Sequence, residues 1–215
     1  PNVDAGVHEF TKTGRKSDKF GVSIKDAKSL IKKCNDSSSL NLVGLTCHIG
    51  SQITELNSFE DAAKQALDLL IELDKLNIKI DFIDMGGGLG VNYVGEETPQ
   101  PFELIQSYEN IFEGRNETLI LEPGRSISAN AGIMLAKVEY KKNNFIITNA
   151  AMNDLLRPAL YDAHHDIWPV VKNDNPASNV NVVGPICETG DFLAKDINIA
   201  ASENDLLAVR TVGAY

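Results

Sequence analysis

The sequence predicts an α/β protein that contains part of a (β/α)8 barrel, followed by a mostly antiparallel β domain. Apolar, β-rich segments at 42–48, 78–84 and 118–122 alternate with segments of helical periodicity. The first two segments end 36 positions apart, a spacing that suits successive βα units. After about residue 133 the pattern alternates, is rich in β-branched residues and contains no long helix, which indicates a second domain built from strands.

The individual elements follow from local signals. Nearly continuous apolar strands are typical of a parallel sheet that is covered by helices on both faces. Helices are predicted within 21–35, from Ser58 to Leu76 with Ser58 as the N-cap, and over roughly 101–113 with a proline in the first turn. We therefore assign residues 1–133 to the barrel and 134–215 to the start of the β domain.

Composition excludes several classes of function. The 215 residues carry a formal net charge of −10, so no basic surface for nucleic acid is expected. No run of about 18 apolar residues occurs, so we expect no membrane span. The odd cysteine count (Cys34, Cys47 and Cys187) suggests free thiols in a reducing, cytoplasmic setting. Neither HExxH nor CxxC occurs, so no metal site is predicted.

Both ends of the chain suggest that it is an internal piece of a longer protein. It starts at Pro1 without an initiator methionine. It stops at Tyr215, within a strand-like run. We expect further sequence on both sides.

Each of the three barrel strands is followed by an unusual polar motif. These are HIGSQ at 48–52, DMGGGLG at 84–90 and EPGR at 122–125. The carboxyl ends of barrel strands form one rim, where active sites are built. The glycines suit backbone N–H groups that converge on an anion, although a flexible turn is the alternative. His48 is either a satisfied core residue or a ring that stacks on a flat cofactor, and Glu122 with Arg125 either closes a turn as an ion pair or serves a ligand.

Two later motifs carry further reactive groups. In LRPALY, Arg157 and Tyr161 stand four residues apart and suit a carboxylate, while a surface arginine beside a packed tyrosine is the alternative. In GPICE, a thiol and a carboxylate follow a strand as Cys187 and Glu188. The alternative for the cysteine is a small buried hydrophobic residue.

Taken together, the motifs carry a family resemblance. HIGSQ, DMGGGLG, EPGR, LRPALY, GPICE and the closing VGAY occur in the order seen in barrel-fold decarboxylases that depend on pyridoxal 5'-phosphate (PLP), a group related to alanine racemase. The chain most closely resembles the diaminopimelate decarboxylase branch, from about residue 1 to 215. Upstream, TGRKSDKFGV is similar to a family segment ending in SKFG, with Asp18 inserted.

The resemblance implies a reaction and an assembly. The reaction is the decarboxylation of meso-2,6-diaminopimelate to L-lysine and CO2, the last step of lysine biosynthesis. The assembly is a head-to-tail homodimer with shared active sites, in which the Cys–Glu pair reaches the site of the other subunit. The partners that the resemblance implies are a small amino-acid substrate and a second copy of the chain.

The resemblance also implies roles for individual residues. His48 would stack on the PLP ring, and Glu122 would face the ring nitrogen. Cys187 would donate a proton to Cα, and Glu188 would pair with the distal ammonium of the substrate. The phosphate would be bound by Ser51, Gly87, Gly88, Gly124 and Tyr215, with Arg125 beside them. The distal carboxylate would be bound by Arg125, Arg157 and Tyr161.

One part of the family pattern is missing. The family's Schiff-base lysine lies in a stretch resembling Tyr-Ala-x-Lys-Ala-Asn, which this chain lacks. Lys137 and Lys195 lie in different contexts. We therefore expect the chain alone to be inactive, and its parent protein to be the enzyme.

Three alternative functions stay open at this point. An ornithine- or arginine-type decarboxylase on the same fold needs no receptor for a distal carboxylate, so Arg157 with Tyr161 argues against it. A catalytically inactive regulator that keeps the PLP pocket is opposed by the presence of Glu122, Cys187 and Glu188. A barrel that binds another phosphorylated ligand leaves the Cys–Glu pair unexplained.

Overall fold

The computed structural model describes residues 1–172 and 174–215. They form two compact units. The first comprises Pro1–Val91 and Glu97–Ser126, and the second comprises Asn92–Glu96 and Ile127–Tyr215. The domain boundary at residue 133 stays a prediction. No helix in these ranges is both long enough and apolar enough to cross a bilayer.

The first unit alternates strands and helices. Its sheet has three parallel strands in the order β1-β2-β3, with Leu45 opposite Ile83 and Ile83 opposite Leu119. A parallel sheet with intervening helices is the arrangement of a βα barrel, so the predicted α/β class is confirmed. The strands are β1 (Gly44–Thr46), β2 (Phe82–Asp84) and β3 (Thr118–Ile120), and the helices are α1 (Ile24–Asn35), α2 (Leu56–Lys75) and α3 (Pro101–Ile111). The four residues of the short helix α4 (Arg125–Ser128) are divided between this unit and the second.

The starts of α1 and α3 follow local chemistry, whereas the start of α2 does not. The Ser23 side chain accepts a hydrogen bond from Asp26 N and caps α1. Helix α3 begins at Pro101 as predicted. The predicted N-cap Ser58 is wrong, because α2 begins two residues earlier at Leu56. Leu56 packs against the core of the unit, and that packing extends the helix past its sequence signal.

The core of the first unit lies between the sheet and the apolar faces of α2 and α3. Phe59 and Tyr108 meet edge to face with ring centroids 6.5 Å apart, and both side chains are fully buried. Ile83 and Met85 cover the sheet side of the same cluster. This packing holds the strands in register and so sets where their carboxyl ends lie.

The second unit is a six-stranded sheet in the order β6-β9-β4-β5-β7-β8. Every neighbouring pair is antiparallel except β5 with β7, so the prediction of a mostly antiparallel sheet is confirmed. One short helix, α5 (Arg157–Tyr161), accompanies it. The strands are β4 (Ile133–Lys142), β5 (Phe145–Thr148), β6 (Ile167–Pro169), β7 (Ser178–Val183), β8 (Phe192–Ile199) and β9 (Leu206–Arg210).

The hairpin between β4 and β5 forms at the predicted turn. Asn143 adopts a left-handed backbone with φ of 54°, which asparagine tolerates better than most residues. Behind the hairpin, alternate residues of the strands bury one continuous apolar cluster, which includes Val138, Ile146, Val182, Leu193 and Leu207.

Candidate active site

The strand ends of the first unit lie at one edge of its sheet. Cys47 N donates to Asp84 O over 2.9 Å, and Met85 N donates to Ile120 O over 3.0 Å. These bonds extend the ladders one residue beyond the regular strands. The HIGSQ, DMGGGLG and EPGR stretches therefore lie side by side.

The glycine loop is in close contact with both neighbouring motifs. Gly88 has φ of 109°, a conformation that side chains strongly disfavour. A Cβ at Gly87 would overlap the carbonyl oxygen of Glu122, and a Cβ at Gly88 would overlap that of Gly50. Glycine is required here because backbone meets backbone at van der Waals distance.

His48 is oriented by the glycine loop. The N–H of Gly87 donates to Nδ1 of His48 over 3.2 Å. Because Nδ1 accepts, the proton of the neutral ring lies on Nε2. The His48 side chain is exposed, so the alternative of a core histidine is wrong. The imidazole is available to a flat ligand.

A hydroxyl and a guanidinium meet in the same unit. Ser51 Oγ accepts from Arg125, with distances of 3.4 Å to Nε and 3.3 Å to Nη2. Arg125 is only 8% exposed. Gly124 stands directly before it in the chain, and the Glu122 carboxylate is exposed. A hydroxyl and a guanidinium are thus in contact, and an accessible carboxylate stands three positions before the guanidinium in the chain.

The second unit contains a buried arginine held by aromatic rings. Arg157 is 6% exposed, so the alternative of a surface arginine is wrong. Its Cζ lies 4.2 Å from the centroid of the Tyr93 ring and 5.7 Å from that of Tyr215. The rings of Tyr161 and Tyr215 are 6.1 Å apart. Arg157, Tyr161 and Tyr215 are therefore brought together, and the role of Tyr215 at the phosphate stays a prediction.

His165 fixes the far side of this arginine. Its Nε2 lies 2.8 Å from Nη1 of Arg157, and its Nδ1 lies 2.8 Å from the carbonyl oxygen of Arg210. A guanidinium can only donate, so Nε2 accepts and Nδ1 carries the proton toward the carbonyl. His165 is fully buried. The imidazole is thereby held in one neutral tautomer.

Sequence reasoning missed Tyr93 and His165. Tyr93 stands 64 positions before Arg157 in the sequence, and no local pattern connects the two. His165 is half of an adjacent His–His pair in the sequence, and that pair was the one signal that could have drawn attention to it. Among the described residues, no group of three or more potential ligands is arranged to hold a metal ion.

Cys187 and Glu188 lie on the connection between β7 and β8. Both side chains are exposed. The alternative of a buried hydrophobic cysteine is therefore wrong. A thiol and a carboxylate side by side on an exposed loop are available to a ligand or to another chain.

Two family models match the chain. One describes the pyridoxal binding domain of pyridoxal-dependent decarboxylases and matches residues 1–129. The other describes the C-terminal sheet domain of the same enzymes and matches residues 66–213. The chain belongs to the pyridoxal-dependent decarboxylases. The glycine loop and the rim residues fall within the first model, and the six-stranded sheet falls within the second.

Similar members of this decarboxylase family share one name. A diaminopimelate decarboxylase of Pseudomonas aeruginosa is 47% identical over 219 residues, which cover all of this chain and 53% of that protein. One from Neisseria meningitidis serogroup B is 44% identical with the same coverage. The chain therefore spans about half the length of these relatives.

Solved structures of decarboxylases agree with the fold. The diaminopimelate decarboxylase of Helicobacter pylori complexed with L-lysine superposes with a TM-score of 0.96 at 39% identity, over the whole of this chain and 55% of that one. The enzyme from M. jannaschii, in co-complex with L-lysine, gives 0.89 at 35% identity, over the whole chain and 52% of that one.

Proposed function

We propose that this chain supplies cofactor- and substrate-binding parts of a diaminopimelate decarboxylase, a carboxy-lyase. The substrate is meso-2,6-diaminopimelate and the products are L-lysine and CO2. The observation that carries the proposal is the buried Arg157, held by Tyr93 and His165 in one orientation. A substrate with a second carboxylate needs such a receptor, and a planar guanidinium binds a carboxylate through two parallel hydrogen bonds.

The rim residues of the first unit fit PLP by their chemistry. A phosphate group needs hydrogen-bond donors and positive charge, which the Ser51 hydroxyl and the Arg125 guanidinium provide side by side. No side chain fits at Gly87 or Gly88, so the loop presents only its backbone at this rim. We assign these four residues, with Gly124 and Tyr215, to cofactor binding.

The ring of the cofactor needs a flat partner and a carboxylate. When bound, PLP supplies an electron-accepting ring that stabilises the electron pair left at Cα as CO2 departs. We assign the exposed imidazole of His48, oriented by Gly87, to stacking on that ring. We assign the exposed carboxylate of Glu122 to the ring nitrogen, from which it would accept a hydrogen bond and whose proton it would stabilise.

The residues assigned to substrate binding match the charged groups of diaminopimelate. Arg157 and Tyr161, with Arg125, bind the carboxylate distal to the reacting carbon. Glu188 pairs with the distal ammonium group. The thiol of Cys187 donates a proton to Cα after CO2 has left. The distal carboxylate, the distal ammonium group and the reacting Cα are thus each assigned a partner in this chain.

We further propose a cytoplasmic homodimer. Cys187 and Glu188 lie on an exposed loop, which supports their contribution to the active site of a second subunit. Free thiols support a reducing compartment. The barrel part of each subunit ends near residue 133, and the β domain follows.

The experiment that tests this function uses the complete protein that contains this chain. Purified with PLP, it should show bound cofactor by absorbance and release CO2 from meso-diaminopimelate. Ornithine and arginine serve as control substrates, and we expect turnover of each at least about 10²-fold slower, because a site built for a carboxylate is left with unpaired donors. Equal turnover of ornithine would contradict the assignment, and so would the absence of bound cofactor.

A further inference from the structure

We propose that Asp191 is a positioning residue that fixes the Cys187 loop against the segment leading into α5. This inference rests on the proposed function, because it concerns the proton donor of that reaction. Asp191 does not itself bind substrate. It acts through the backbone on either side of Cys187.

The carboxylate of Asp191 joins two segments that are distant in sequence. It is 3% exposed. Its Oδ1 accepts from Met152 N over 2.7 Å, and its Oδ2 accepts from Ile186 N over 2.8 Å. Met152 lies five residues before Arg157, and Ile186 lies directly before Cys187. One buried anion therefore ties together the two stretches to which substrate roles are assigned.

The backbone of the same residue closes the loop. Glu188 N donates to Ile186 O over 2.8 Å, and Asp191 N donates to Glu188 O over 3.1 Å. At the base of the loop, Gly184 N donates to Asp191 O over 3.2 Å. Both neighbours of Cys187 are thus hydrogen-bonded within one closed turn.

The close approach of the two segments is built into the sequence. A Cβ at Gly184 would lie 2.6 Å from Oδ2 of Asp191 and against the backbone of Ala151. The segment that contains Ala151 and Met152 is held by a hydrogen bond of its own, since Ala151 N donates to Asp154 Oδ2 over 2.9 Å. The carboxylate is therefore clamped from both sides, and charge-assisted bonds to N–H groups hold it there.

Precise placement matters for a proton donor. A shift of about 1 Å in a reacting group costs up to about 10²-fold in rate. The Cys187 thiol lies on an exposed loop, so apolar packing contributes little to its position. The Asp191 bonds supply that rigidity.

A double-variant cycle with Cys187→Ala tests the coupling in the complete holoenzyme. In Asp191→Asn the side-chain NH2 group, itself a donor, faces the N–H of either Met152 or Ile186. One of the two hydrogen bonds is therefore lost. We expect kcat for diaminopimelate to fall about tenfold, equivalent to ~1.4 kcal/mol. On the Cys187→Ala background the same change should cause less than about twofold further loss, because the group that Asp191 positions is gone.

The matched control is Asp205→Asn. Asp205 also accepts a backbone N–H, from Ser202 over 2.8 Å, but in the turn between β8 and β9. It should leave kcat within about twofold, whatever it does to the melting temperature. If Asp191→Asn lowers kcat by the same factor in the wild-type and in the Cys187→Ala background, the proposal is overturned. The two effects are then independent, which indicates a general structural role for Asp191.

A second readout needs no catalysis. Alkylation of Cys187 by iodoacetamide, followed by peptide mapping with Cys34 as internal reference, should change at least about threefold in Asp191→Asn and stay constant in Asp205→Asn. An unchanged alkylation rate of Cys187 in Asp191→Asn would overturn the positioning role of Asp191. This readout does not depend on catalysis. If the wild-type protein does not decarboxylate diaminopimelate, that result contradicts the proposed function alone. Should Asp191→Asn not fold, Gly184→Ala, which keeps the carboxylate but wedges the two segments apart, must give the same shift in alkylation.

Discussion

The guanidinium of Arg157 lies over the ring of Tyr93, with Cζ 4.2 Å from the ring centroid. A buried positive charge is costly unless it is compensated. The Tyr93 ring face and the Nε2 lone pair of His165 compensate part of that cost, and they also orient the fork of the guanidinium. The residue is thus prepared for an anion before a substrate arrives.

We expect Arg157→Gln to impair diaminopimelate turnover far more than cofactor binding. Loss of a charge-assisted pair with one partner left desolvated costs on the order of 2–4 kcal/mol, or about 10²-fold or more in kcat/KM. The control is Arg210→Gln, because Arg210 also stacks on an aromatic ring, with Cζ 4.0 Å from the Trp168 centroid. Steady-state kinetics measure the loss of turnover in each variant, and PLP absorbance measures cofactor binding. Equal losses in the two variants would make Arg157 a structural residue.

We expect Glu122→Gln to lower kcat by about 10²-fold, equivalent to roughly 3 kcal/mol of transition-state stabilisation. An amide cannot hold the proton of the ring nitrogen as a carboxylate does. Glu113→Gln, at another exposed carboxylate of the same unit, is the control and should have no effect. A kcat within about threefold of wild type would remove Glu122 from the cofactor site.

We expect Cys47 to resist alkylation at neutral pH. Burial raises the pKa of its thiol to about 11. At about pH 8 only ~10⁻³ of it is thiolate, and that fraction rises roughly tenfold per pH unit. Iodoacetamide labelling between about pH 7 and 9, read by peptide mapping, should therefore show a steep increase for Cys47 and faster labelling of the exposed Cys187. Fast, pH-independent labelling of Cys47 would show that the first unit opens.

We expect mixed dimers to restore activity from two inactive subunits. One subunit carries Cys187→Ala and the other carries Glu122→Ala. If each Cys187 completes the partner's site, every heterodimer has one site with both lesions and one intact site. At equal mixing about half of the dimers are heterodimers, so roughly a quarter of wild-type activity returns. If Cys187 serves its own subunit, every site in the mixture has a lesion and no activity returns.

The sequence by itself determined the α/β class, the mostly antiparallel second sheet and the start of α3 at Pro101. It also determined the turn at Asn143. These features depend on hydrophobic period and on single-residue backbone preferences, both of which are local and readable along the chain. The six motifs could be recognised for the same reason, since each is a short contiguous string.

Only the tertiary structure decided which side chains support these motifs. Tyr93 and His165 reach Arg157, and Asp191 joins Met152 to Ile186, across gaps that no periodic pattern bridges. The early start of α2 at Leu56 has the same origin. Packing between distant segments supplies the energy in each case, and that energy depends on which surfaces the folded chain brings into contact.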